Sequence, residues 1–126
     1  MLKPSTAKRK GVETENFFVE YIKEKWGVVG AERRRLSGVE DRGDIAGWFK
    51  VKDGKKVKDV AVEIKSGAKL AIPTWMAELE VETLNAGADL GFIAVRPKGK
   101  PNVAEWYAMM EMDDFMALLR EAGYVD

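Results

Sequence analysis

Val60-Ala61-Val62-Glu63-Ile64-Lys65 is the stretch from which the rest of the chain is read. On a β-strand alternate side chains share a face, so Val60, Val62 and Ile64 point one way and Ala61, Glu63 and Lys65 the other. Nineteen positions before Glu63, Asp44 opens a second alternating run to Val51, with Ile45, Gly47, Phe49 and Val51 against Asp44, Ala46, Trp48 and Lys50. Between the two runs stands Asp53-Gly54, a strong hairpin signal. The returning strand, Val57 to Lys65, is therefore expected antiparallel to the first, with Asp44 and Glu63 near the same end. Two carboxylates and an ammonium in one place are costly unless a cation or a reaction uses them. Two plainer readings compete. An acid and a base at alternate positions commonly form an exposed strand face, and an aspartate after Gly43 suits a turn.

Composition narrows the chemistry. The chain has 126 residues, 46% of them hydrophobic, which suits one globular domain with its own core. No apolar run approaches the roughly 20 residues of a membrane helix, and no signal peptide is expected at Met1 to Ser5. The absence of cysteine excludes disulfides and suits a reducing cytosol. With no histidine or cysteine there is no Ser-His-Asp triad, no Cys-His pair and no ordinary zinc site. Proton transfer falls to carboxylates, lysine, tyrosine or metal-bound water. Any metal must be held by oxygen, which favours Mg²⁺, Mn²⁺ or Ca²⁺.

The net charge is zero, but its distribution is uneven. Residues 1–100 carry 20 basic and 15 acidic side chains, whereas residues 101–126 carry Arg120 against six acids. Basic clusters at Lys8-Arg9-Lys10, Arg33-Arg34-Arg35 and Lys50 to Lys58 could follow phosphates; a solvated surface is the plainer reading of any one of them.

Residues 1–10 read as a flexible basic arm ahead of one domain, 11–126. A helix is expected from Gly11 to Trp26, with Phe18, Val19, Ile22 and Trp26 on one stripe and Gly27 as its stop. Glu15, three and four positions before Phe18 and Val19, shares that stripe, and a carboxylate on the core side of a helix needs a partner. Val28 to Leu36 reads as a first strand. Pro73 suits the first turn of a second helix ending near Asn85, its apolar side drawn from Met76, Leu79 and Leu84. Leu90 to Val95 reads as a buried strand, Glu105 to Met110 as a last strand, and Asp113 as the cap of a final helix to Ala122. The fold class is α/β, a mixed central sheet flanked by helices.

This order, with Asp44 on the second strand and Glu63-x-Lys65 on the third, resembles the PD-(D/E)XK nuclease superfamily. Lys10-Gly11 ahead of Glu15, and Ser37-Gly38 ahead of Asp44, make the chain most similar to the archaeal-type Holliday junction resolvases and their viral relatives. Gly43 stands where this superfamily commonly has proline. The second helix offers Glu78, Glu80 and Glu82 where many relatives carry Gln, Arg or Lys. The resemblance implies a restriction-endonuclease-like core (αβββαβ) followed by an extra C-terminal strand and helix. It implies a cytoplasmic protein, bacterial, archaeal or viral, acting in DNA recombination or repair.

By the same resemblance, Asp44, Glu63, the main-chain carbonyl of Ile64 and Glu15 would bind Mg²⁺, with Mn²⁺ as a substitute, and Lys65 would orient the attacking water. Hydrolysis would leave a 5′-phosphate and a 3′-hydroxyl. The implied partner is branched DNA, a four-way junction, cut by a homodimer. Linear, flap or single-stranded DNA is the alternative substrate, and a non-catalytic DNA-binding module the alternative function. Lys8, Arg9, Lys10, Arg33, Arg34, Arg35, Ser37 and Lys69 are the residues expected to meet DNA. Trp75 is placed for base stacking, Trp26, Trp48 and Trp106 for a core or interface, and Met109, Met110, Met112 and Met116 for packing.

Overall fold

The apolar run forms the strand on which the molecule is organised. In the computed structural model, which describes residues 6–35, 40–67 and 69–126, it is β5 (Val60–Ser66). Helix α1 (Thr6–Trp26) precedes it, with four short strands between: β1 (Glu32–Arg33), β2 (Ile45–Ala46), β3 (Lys50–Lys52) and β4 (Lys55–Val57). After it come α2 (Ile72–Ala86), β6 (Leu90–Arg96), a 3-10 turn at Val103–Glu105, β7 (Tyr107–Met109) and α3 (Met112–Glu121).

β5, α2 and β6 make a β-α-β unit, with β5 and β6 parallel in register Val60↔Leu90 to Ser66↔Arg96. β7 adds antiparallel to β6, so the sheet is mixed, as expected. On the other edge of β5, the segment Asp44–Trp48 runs alongside it: Asp44 N–H donates to the Val62 carbonyl (2.8 Å) and Val60 N–H to the Trp48 carbonyl (3.0 Å).

Alternation divides the core into two layers. Val62 and Ala94 face α1 and pack with Phe18, Ile22, Ala31 and Ile45. Phe92, Trp48 and Trp106 close around Phe18 with ring centroids 6.3–6.4 Å from it. Ile93 and Val95 face α2 and pack with Trp75 and Leu79.

Several boundaries differ from the sequence reading. Helix α1 begins at Thr6, so the main chain of residues 6–10 belongs to it rather than to a free arm; residues 1–5 lie outside the described part. The first strand shortens to Glu32–Arg33. The second is broken between Ala46 and Lys50, because Gly47 turns to φ +81° and its backbone lies against that of Gly30. The third is broken at Lys58 (φ +53°), which separates the β3–β4 hairpin from β5. That hairpin does turn at Asp53-Gly54, both with positive φ. Residues 103–105 coil into the 3-10 turn, where Asn102 Oδ1 accepts the Ala104 N–H. Glu111, not Asp113, precedes the first turn of α3. The face of α2 is also rotated: Trp75, Leu79 and Glu82 point inward, and Leu84 is 74% exposed. Trp75 is buried among Leu79, Ile93 and Val95, away from any base-stacking position, while Trp26 is 63% exposed.

Gly43 fixes where Asp44 enters the sheet. Its φ is +92°, and a Cβ there would lie 2.9 Å from the Val62 carbonyl oxygen. Proline, locked near φ −65°, cannot take this conformation, which accounts for glycine at this position. Gly54 also has positive φ (+74°) but meets nothing within 4 Å. Gly43→Ala is therefore expected to cost ~2–3 kcal/mol and Gly54→Ala only ~1 kcal/mol. Equal losses in chemical denaturation would contradict the role assigned to this contact.

Candidate metal centre

Three elements converge at the C-terminal half of β5. Glu63 and Lys65 share the face that α2 covers, and Asp44 arrives on the open edge of the same strand. The Asp44 carboxylate accepts the Ile64 N–H through Oδ2 at 2.7 Å, so side chain and main chain of one residue both close the edge of β5. Lys65 Nζ lies 3.6 Å from Glu63 Oε1 and 3.1 Å from Glu78 Oε2 on α2, and 5.8 Å from the Trp75 ring centroid.

Glu15 comes from α1. The N-terminal half of that helix is tied to the end of β6 by Arg96, which donates to Thr14 Oγ1 (2.9 Å) and stands 5.3 Å from the Phe17 ring centroid. Glu15 itself takes the Arg33 guanidinium at 3.4 Å. Glu15 lies near enough to feel the Asp44 charge, but among the described residues the one group of three carboxylates close enough to share an ion includes neither Glu15 nor Asp44.

The centre also contains two carboxyls that were not expected. Asp41, Glu63 and Glu82 offer oxygens that all lie within 4.8 Å of one another. Glu82 is 1% exposed. Asp41 is anchored twice: its carbonyl accepts Asn85 Nδ2 of α2 (2.9 Å) and its Oδ1 the Gly43 N–H (3.0 Å). Glu63 Oε2 and Glu82 Oε2 are both buried without a hydrogen-bond partner.

Charge states follow from this crowding. Burial pushes the Glu82 carboxyl up to about 10, reinforced by the neighbouring Glu63 and Asp41 carboxyls. Burial pushes Glu63 up to about 7; the adjacent Glu82 carboxyl opposes the shift and the Asp44 charge adds to it. Asp44 is raised chiefly by burial, with the Ile64 N–H pulling the other way. Glu15 is raised by burial and by the nearby Asp44 charge, against Arg33. Burial pulls Lys65 down, but Glu78 and Glu63 outweigh it, leaving the ammonium above its ordinary value. The donors are all oxygen, and two buried oxygens lack partners, which suits a hard divalent cation.

The residues expected to meet DNA scatter. Arg34 turns inward and donates to the Ile45 carbonyl (3.3 Å), and Arg33 is engaged by Glu15. Arg35 and Lys69 are exposed. Ser37 and the side chains of Lys8, Arg9 and Lys10 lie outside the described residues. Among the described residues, no helix is long and apolar enough to cross a membrane. Comparison with known protein families, with curated proteins and with solved structures finds no match to this chain.

The pH dependence of the metal-free protein has a definite sign. Glu63 and Glu82 titrate near 4.5 when unfolded and higher when folded, so between those values the folded chain binds more protons. Their contribution to stability is full below about pH 4.5 and is lost as pH rises through the folded values. In chelator, Tm should fall between about pH 5 and pH 9. Glu82→Gln should flatten the fall and raise Tm at pH 9 by several degrees. A wild-type Tm that rises across this range would contradict the assignment.

Proposed function

We propose that the chain is a metal-dependent DNA endonuclease of restriction-endonuclease-like fold, of the PD-(D/E)XK type and most similar to archaeal-type and viral Holliday junction resolvases. The observation that carries this reading is the Asp44 carboxylate on the Ile64 N–H, with Glu63 and Lys65 flanking it on the same strand. A lone surface ion pair needs no third carboxylate, and a turn aspartate has no reason to reach a neighbouring strand.

Asp44, Glu63, the Ile64 carbonyl and Glu15 would hold Mg²⁺, or Mn²⁺ in its place. The ion would supply Lewis acidity and a water of lowered pKa. Lys65, held between Glu63 and Glu78, keeps its proton, orients the attacking water and offsets charge growing on the phosphate. Arg33 restrains the Glu15 carboxylate. In-line attack on phosphorus breaks the bond to the 3′ oxygen, leaving a 5′-phosphate and a 3′-hydroxyl.

The substrate is branched DNA, a four-way junction. Cutting two opposed strands requires two sites, hence a C2 homodimer. Val81 and Leu84 of α2, with Met112 and Phe115 of α3, are apolar, exposed and open to such a contact.

Asp44→Asn and Glu63→Gln should each abolish Mg²⁺-dependent cleavage of a synthetic junction while junction binding by mobility shift persists. Cleavage by either variant at the parent rate removes the site. Preferential cutting of linear, flap or single-stranded DNA would make the protein a repair nuclease. Binding without cleavage by the parent chain would make it a DNA-binding module.

Lys65→Ala should slow single-turnover cleavage by roughly 10²–10⁴-fold with metal affinity little changed. An unchanged rate would remove Lys65 from the chemistry.

A further inference from the structure

Glu82 is a glutamate on the inward face of a helix, in line with Trp75 and Leu79, where an apolar residue would pack. Its carboxyl is buried, and Oε2 has no partner. An orphaned buried polar atom costs ~1–3 kcal/mol, and two more carboxyls within 4.8 Å add to the cost. Lys65, the ammonium that serves Glu63, is engaged by Glu63 Oε1 and Glu78. The orphaned oxygens of Glu63 and Glu82 therefore have no cationic partner of their own among the described residues.

We propose that Glu63 is shared by two cation positions: one with Asp44, and a second, built by α2, with Asp41 and Glu82 as its other ligands. The second position deepens the nuclease reading and rests on it for the first. Its occupant is a hard divalent cation, Mg²⁺ or Mn²⁺, since all three donors are carboxylate oxygens. Ligands at ~2.0–2.6 Å from such an ion stand at most roughly 5 Å apart, and the oxygens found here all lie within 4.8 Å of one another. The position is also held in place independently of Asp44. Glu82 is fixed by its helix, and Asp41 is tied to the same helix through Asn85. The ion would give Glu63 Oε2 and Glu82 Oε2 the partner they lack.

The test is calorimetric titration of the full chain with Mn²⁺ alone, without DNA, at about pH 8. The parent chain should bind two ions. Glu82→Gln and Asp41→Asn should each keep one and weaken the other at least about tenfold. Asp44→Asn should keep the ion that those two variants lose. Asp41 is exposed, so Asp41→Asn tests the position even where Glu82→Gln fails to fold. Titrations of Glu82→Gln and Asp41→Asn that match the parent overturn the second position and leave the Asp44 reading intact. A single ion weakened by all three substitutions means one shared position and also overturns it. A single ion lost in Glu82→Gln and Asp41→Asn but kept in Asp44→Asn supports the α2 position and removes the Asp44 reading. No Mn²⁺ binding, together with no Mg²⁺-dependent cleavage, overturns both.

Discussion

Glu63 cannot be buried alone. It stands on a strand face that α2 covers, where an unpaired carboxylate costs several kcal/mol. A buried methylene returns only ~0.8 kcal/mol, so local packing cannot absorb that cost. The neighbourhood bears the marks of this constraint: Lys65 two residues along the strand, Glu78 drawn to Lys65, and Glu82 and Asp41 crowding the Glu63 carboxylate. Each added carboxyl makes the metal-free state worse, so the cluster is a poor way to solidify a core. A local conflict of this size in an otherwise consistent fold is what a functional site looks like.

The rest of the molecule supplies what the site spends. The α1 side of the sheet is largely apolar, and Phe18 sits among Trp48, Phe92 and Trp106. Asp44 joins the two sides of the sheet. Its main chain extends the ladder to Val62, and its side chain turns back onto the Ile64 N–H, so the carboxylate is set by sheet register rather than by a mobile loop. Gly43 makes this possible, since only a residue without Cβ fits against the Val62 carbonyl at that φ.

Much of this could be read from residue order. Alternation gave the two faces of β5, Asp53-Gly54 gave the hairpin, and Glu15 betrayed itself by sharing a stripe with Phe18 and Val19. The losses have physical causes. The long strands break at Gly47 and Lys58, where close backbone approach and a positive φ decide, and neither leaves an apolar signature. On α2 the apolar Leu84 pulls the sequence stripe away from the face that is buried. Trp75, Leu79 and Glu82 at i, i+4 and i+7 form the same pattern that exposed Glu15, so Glu82 was legible by the same rule. Asp41 was not: nothing local ties a loop aspartate to Asn85, 44 residues on.

The arginine run shows a further limit. Arg33, Arg34 and Arg35 look alike in sequence, yet one serves Glu15, one the Ile45 carbonyl, and Arg35 is exposed. Among the described side chains, the basic groups that a phosphate diester would meet at β5 are Lys65 and, at Glu15, Arg33, both engaged by carboxylates. The diester meets instead a group of carboxyls, each ionised one repelling it by about 1 kcal/mol at 4 Å in water and about 4 kcal/mol at an effective dielectric of 20. One ammonium does not reverse that sign. A divalent cation held by the same carboxyls does, so the groups that would repel DNA from the bare site are those that would draw it to the loaded one.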